Sequence, residues 1–141
     1  MDPLTPSNVV ESVHKGKRGL RRLVNAFNYS MSGLRLAYRH EHAFRQEILG
    51  AALLLPVACL IPVTPVERVL LIGTILLVLI VELLNSSVEA AVDRAGLDTH
   101  HLAKRAKDIG SAAVFLALIL LATTWLLIAG PVLLALLQNS R

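Results

Sequence analysis

The spacing of apolar residues changes character about a third of the way along the chain. From Gly19 to about Gln46, Leu20, Leu23, Val24, Phe27, Met31, Leu34 and Tyr38 recur at three- and four-residue steps, while Arg18, Arg21, Arg22, Asn25, Arg35 and Arg39 mostly occupy the other side. That period predicts an amphipathic helix with a basic face. Beside a membrane span, such a helix lies in the interface plane with its apolar stripe in the acyl boundary. Residues 1–18 contain Pro3, Pro6 and Gly16 with no sustained period, and read as a disordered tail.

Beyond Glu47 the apolar residues come in long runs instead. The first run, about 47–61, is short and contains Pro56. Membrane helices tolerate such a proline because neighbouring groups satisfy the carbonyl it frees. Pro62 and Pro65 then close a tight hairpin. The second run extends over about 66–95 and the third over about 108–137. Each of these two can cross ~30 Å of hydrocarbon at ~1.5 Å per residue. A polar loop is expected over 94–107. The predicted fold class is therefore an all-α membrane protein, with a surface helix at 19–46 followed by three transmembrane helices, and 19–141 forming one membrane-embedded domain. Within the third run, Gly110, Ser111, Ala112 and Ala113 form a small-residue patch that allows close helix approach. Trp125 lies deep enough there for a packing role.

Composition supports this picture: 55% of the 141 residues are hydrophobic and 17% charged, against ~25% charged in a typical soluble domain. Eight of the fourteen basic residues (Lys15, Lys17, Arg18, Arg21, Arg22, Arg35, Arg39 and Arg45) precede the first apolar run. With no aromatic interleaving and no reader motif, that basic segment points to anionic headgroups rather than nucleic acid. Arg94, Lys104, Arg105 and Lys107 add four in the second loop, whereas the hairpin holds only Arg68 and the C-terminus Arg141. The N-terminus and the second loop are therefore expected on the cytoplasmic side, and the C-terminus outside. Cys59, alone in an apolar run, reads as a small hydrophobe. The first run starts too far along to be a signal-peptide core, so the runs are read as retained anchors.

The chemistry is concentrated in V-E-L-L-N-S-S-V-E-A-A-V-D, residues 81–93. At ~100° per residue, Glu82, Asn85, Ser86, Glu89 and Asp93 share about a third of the helix circumference. Leu83, Leu84, Val88, Ala91 and Val92 take the opposite side. An ionisable group at this depth costs several kcal/mol, roughly, unless it is paired, protonated or solvated by a cavity. Packing would account for Asn85 or Ser86 alone, but it accounts poorly for three acids on one face with nothing basic between Arg68 and Arg94. Hard oxygen ligands suit magnesium or calcium, and the basic 104–107 cluster beside Asp108 suggests a phosphate substrate. A carboxylate held away from water can also take a proton from a hydroxyl. Glu82, the deepest, suits that role, and Glu89, nearer the aqueous side, suits a metal. Glu41 and Glu47 bracket the entry into the first span; either could close the metal site, or Glu41 could simply pair with Arg45 at i, i+4. Adjacent His100 and His101 fit a solvated loop better than a zinc site. None of the common nucleotide-binding loops is present.

Three segments, A-F-R-Q-E (43–47), V-E-L-L-N-S-S-V-E-A-A-V-D-R (81–94) and R-A-K-D-I-G-S-A-A-V (105–114), resemble the prokaryotic diacylglycerol kinase family. The resemblance runs over about 19–130. It implies a small homotrimeric inner-membrane enzyme that moves the γ-phosphate of MgATP to a lipid hydroxyl, giving phosphatidic acid. Carried over by position, Glu82 resembles the catalytic base with Asn85 beside it, and Glu41 and Glu89 resemble the Mg2+ ligands that hold ATP. Arg22, Tyr29, Lys107, Asp108 and the stretch Asp98, Thr99 and His100 would contact nucleotide. Glu47 and Ser111, together with Arg22 and Glu82, match the lipid-substrate site. The surface helix departs from the family, with Met31, Ser32 and Tyr38 where better-known members carry tryptophan. Undecaprenol kinases share the family, but the first two segments look closer to its diacylglycerol branch. Outside the family, a small ion- or proton-coupled transporter would explain Glu82 but not the basic cluster. A structural subunit would leave the buried acids without a purpose.

Overall fold

Four helices follow one another along the chain: α1 (Lys15–His40), α2 (His42–Leu60), α3 (Pro65–Arg94) and α4 (His101–Asn139). The computed structural model describes residues 15–94, 96 and 101–139, and no strand occurs among them. α2, α3 and α4 are each long and apolar enough to cross a membrane. At ~1.5 Å per residue they measure about 28, 45 and 58 Å. The chain divides after Leu36 into two units, the second of which holds α2, α3 and α4. Up to Leu36, α1 displays Leu20, Leu23, Val24, Phe27, Met31 and Leu34 on its surface, together with exposed arginines.

Three boundaries differ from expectation. α1 begins at Lys15, so residues 15–18 of the stretch expected as a disordered tail are helical, and 1–14 lie outside the described residues. The first helix does not run on to Gln46. It stops at His40, Glu41 takes extended backbone (φ −100°, ψ 117°), and Ala43–Gln46 already belong to α2. No glycine or proline marks this break, so periodicity alone passes over it. The loop expected at 94–107 is also shorter, because α4 starts at His101 and Lys104, Arg105 and Lys107 are helical. Alanine, lysine and arginine are strong helix formers, so the polarity of this stretch signalled solvent rather than irregular backbone.

Local chemistry accounts for the other ends. Thr64-Pro65-Val66-Glu67 forms a capping box with proline in the first turn. Thr64 N and Oγ1 donate to Glu67 Oε2 at 2.8 and 2.7 Å, and Glu67 N donates to Thr64 Oγ1 at 3.3 Å. α2 ends where Ile61 N donates to Val57 O at 3.0 Å, with Pro62 next. Arg68 Nη2 donates to Ile61 O at 3.0 Å, joining the two sides of the hairpin. Past the end of α3, Gly96 adopts φ 64°, the left-handed conformation that glycine supplies without steric cost, and its N–H donates to Asp93 O at 3.1 Å.

α3 packs chiefly against α4 and more lightly against α2. Beside the hairpin, Ala58, Ile61, Leu71 and Ala129 form a buried cluster with Trp125, Ile128 and Val132 against it. Trp125 Nε1 donates to Leu71 O at 3.3 Å, a packing role with its polar end satisfied. The apolar surface otherwise faces outward. Only 11–28% of each span's most apolar window is buried, so the hydrophobic residues are directed mainly at lipid or at other chains.

Ala58 is 0% exposed and Ala129 2% exposed, so small side chains let the helices meet at the hairpin end. Ala58→Leu should therefore destabilise the chain by about 1–3 kcal/mol, read from its unfolding in detergent micelles. Leucine at the lipid-facing Leu53 position, replaced by isoleucine as a control, should leave stability unchanged.

Candidate functional site

The acidic face of α3 turns toward the other helices. Glu82 is 4% exposed, Asn85, Ser86 and Glu89 are half-buried, and Asp93, about three turns beyond Glu82, is exposed. On the far side Leu84, Val88 and Ala91 are exposed, while Leu83 and Val92 are half-buried. The division expected from helical periodicity is thus largely the observed one.

Two acids from outside α3 join this face. Glu82 lies within electrostatic range of Glu89 and Glu41, and Glu47 lies within range of Glu82. Glu41 stands at the break between α1 and α2, and Glu47 lies in the second turn of α2. Four carboxylates therefore gather at one end of the bundle, and Glu82 has neither ion pair nor hydrogen bond among the described residues. Arg45 does not neutralise Glu41. Its guanidinium bonds the carbonyls of Tyr38 and Arg39 and the ring of His42, which overturns the simple i, i+4 ion pair.

Asn85 Nδ2 donates to Glu89 Oε1 at 3.0 Å, orienting that carboxylate. Asn85 Oδ1, Ser86 Oγ and Glu47 Oε2 are buried without a partner among the described residues. Buried polar atoms are nearly always bonded, so these three, like Arg68 Nε at the hairpin end, are groups that the described helices leave unsatisfied. α4 approaches closely here. A Cβ built on Gly110 would overlap Asn85 Oδ1 and come within 3.3 Å of Asn85 Cγ. The small-residue patch read at 110–113 therefore matters most at its first member.

Lys107 Nζ meets Asp93 Oδ1 at 2.5 Å, linking the end of α3 to the first part of α4. This pair takes Asp93 out of the acidic ladder and was not foreseen; a lysine two turns into an α-helical stretch beside a helix-terminal acid was the available clue. Asp108 and Ser111 are exposed on α4. Arg22 and Tyr29 belong to the unit that ends at Leu36, where they frame a shallow recess with Arg21, Asn25 and Ala26. Asp98, Thr99 and His100 lie outside the described residues.

Below Glu47 a groove of about 430 Å³ runs between α2, α3 and α4. Gln46 and Glu47 mark its polar end, and Ala51, Leu54, Ile75, Val78, Leu118 and Leu121 line the rest. Ser111 is not in its wall. A groove that is polar at one end and apolar elsewhere suits an amphiphile with a hydroxyl at its head.

Among the described residues, no three His, Cys, Asp or Glu side chains are close enough to hold a metal ion unaided. Mg2+ is typically held by one or two carboxylates, with water and substrate phosphates supplying the rest. Glu41 and the second oxygen of Glu89 offer hard, unneutralised donors of that type. The residues fit the ion.

A family profile described as prokaryotic diacylglycerol kinase matches residues 28–129 of this chain. A diacylglycerol kinase of Pseudomonas aeruginosa is 53% identical over 114 residues, 81% of this chain and 93% of that protein. The Escherichia coli K12 diacylglycerol kinase is 50% identical over 107 residues, covering 76% and 88%. One from Helicobacter pylori is 44% identical over 119 residues, covering 84% and 90%. The matched stretch contains every acid of the cluster, whereas Arg22 precedes it.

Gly110→Ala should push Asn85 off Glu89 without unfolding α4, because alanine favours helix. Lipid phosphorylation is expected to fall by about a hundredfold, the scale for a displacement near 1 Å, with helical circular dichroism unchanged. Ala112→Gly, a change on the exposed side, should leave the rate near that of the parent chain.

Proposed function

The chain belongs to the prokaryotic diacylglycerol kinase family, and from that premise we propose how its acidic cluster carries out the reaction. The activity is that of a diacylglycerol kinase, transferring a phosphoryl group to a lipid hydroxyl. It is carried by a multi-pass membrane protein with three apolar spans. The donor in our reading is ATP, the acceptor 1,2-diacylglycerol and the product phosphatidic acid. The observation that carries the reading is Glu82, a buried carboxylate without a cationic partner, standing between the orphaned polar atoms and the apolar groove.

The acceptor enters with its acyl chain in the groove, which brings its hydroxyl toward Glu47 and Glu82. Glu82 takes the hydroxyl proton as the oxygen attacks the γ-phosphorus, and the bond from that phosphorus to the β–γ bridging oxygen breaks to release ADP. Asn85 holds Glu89 in place and presents Oδ1 to the site. Glu41 and Glu89 would hold Mg2+, which when bound neutralises phosphate charge. Lys107, Asp108, Arg22, Tyr29 and the 98–100 stretch (Asp98, Thr99, His100) are assigned to the nucleotide, and Glu47 and Ser111 to the lipid head. Arg22 is assigned to both.

A single chain leaves most of its apolar surface outward, which favours association with further copies. The resemblance to the family implies that this oligomer is a homotrimer, and we adopt that assignment. From the excess of lysine and arginine before α2 and around the start of α4, we assign that end to the cytoplasmic face of the inner membrane, with the C-terminus on the opposite side. Membership of the family displaces the transporter and structural-subunit readings. Undecaprenol is the acceptor against which diacylglycerol must be tested.

Glu82→Gln preserves shape and removes the base. In detergent micelles with radiolabelled ATP and Mg2+, phosphatidic acid formation should fall by about a hundredfold or more, while the oligomer elutes unchanged. Turnover at the parental rate would remove Glu82 from the base role. Diacylglycerol and undecaprenol offered side by side should give label in the former, and omission of Mg2+ should abolish it.

A further inference from the structure

The corner between α1 and α2 has no residue that requires it. Glu41 is the single extended residue there, flanked by helix on both sides, and neither glycine nor proline lies within seven positions of it. Its backbone could continue the helix at little cost, and its N–H in fact still donates to Ala37 O at 2.8 Å in the helical manner. The return bond is poor, with Arg45 N reaching Glu41 O only at 3.4 Å. Something other than local preference holds the chain in this shape.

Arg45 supplies it. Its Nη1 donates to Arg39 O at 3.0 Å and to Tyr38 O at 3.2 Å, the carbonyls left open at the end of α1. Its Nη2 donates to His42 Nδ1 at 2.7 Å, in the first turn of α2. Arginine has donors only, so Nδ1 is the acceptor in that bond. One planar guanidinium thus grips both sides of the break, and its positive charge meets the negative end of the α1 dipole. The residue enclosed by this clamp is Glu41, whose carboxylate lies within electrostatic range of Glu82.

We propose that Arg45 is a positioning residue: by bridging the end of α1 to the start of α2 it fixes the backbone at Glu41 and delivers that carboxylate to the acidic cluster. The proposal rests on the reading of Glu41 as a Mg2+-side ligand. It makes Arg45 a determinant of nucleotide and metal use rather than of lipid use, although it is only two residues from Glu47 at the mouth of the lipid groove. Lysine could not do the same, because a point charge on a flexible stem cannot meet three acceptors in fixed directions.

The test uses the full-length chain in detergent micelles, with Arg45→Met, which keeps length and loses every donor, and Arg45→Lys, which keeps charge. Arg45→Met should raise KM for MgATP by about tenfold, the scale of one lost charge-assisted hydrogen bond, while KM for diacylglycerol stays within about twofold. Arg45→Lys should recover part of the difference. Backbone amide exchange over 37–45 should quicken in both variants, with helical circular dichroism retained. Added to Glu41→Gln, Arg45→Met should worsen MgATP use no further. An unchanged KM for MgATP, an equal rise in KM for diacylglycerol, or unaltered amide exchange at the corner would each overturn the positioning role. If Glu41→Gln itself left MgATP use untouched, the reading of Glu41 would fall. An inert Arg45→Met beside a damaging Glu41→Gln would remove the positioning role alone.

Discussion

Negative charge gathered without its counter-charge is the constraint that orders this molecule. Glu82 is nearly inaccessible in an apolar bundle, Glu41, Glu47 and Glu89 stand within electrostatic range of it, and among the described residues no arginine or lysine pairs with these four acids. An arrangement of this kind costs free energy, on the order of several kcal/mol. In the proposed reading, a bound cation would offset that cost by supplying the missing positive charge to these oxygen ligands. Arg45 is engaged with backbone carbonyls and His42, and Lys107 with Asp93. Stability has been traded for a seat of concentrated negative charge.

Around that seat the packing serves to bring backbones close rather than to build a large core. Gly110 lets α4 press against Asn85, and Asn85 in turn holds Glu89. At the opposite end, Ala58 and Ala129 allow the hairpin to meet α4, with Trp125 bonded to a carbonyl of α3. The two contact zones fix α3 relative to α4 at both ends, and the groove lies between them. A bundle pinned at its ends and open in the middle can accept an acyl chain from the side while its polar end keeps its geometry.

The acid face of α3 was legible because helical periodicity is local: residues three, four and seven apart share a side whatever surrounds them. Three apolar runs were legible as contiguous stretches, two of them of full membrane length and the first, at about 47–61, shorter than the helix His42–Leu60 that contains most of it; the family was legible from contiguous motifs. The break at Glu41 was not, since a single extended residue between two helices leaves no mark in hydropathy or in glycine and proline content. The helical state of Lys104, Arg105 and Lys107 is hidden too, because polarity around 94–107 marks solvent exposure equally in a loop and in a helix, although the residue types favour helix.

By itself, then, the sequence determined which segments are helical and apolar, which side chains share the reactive face, and to which family the chain belongs. Each of these is written in short-range spacing or in contiguous motif. The tertiary structure alone decided that Glu41 and Glu47 join Glu82 and Glu89, that Arg45 grips the carbonyls of Tyr38 and Arg39 instead of pairing with Glu41, and that Gly110 makes room for Asn85. Those relations join residues whose distance depends on how helices cross and where the chain bends. Crossing and bending are set by the packing of whole elements, which no local period records.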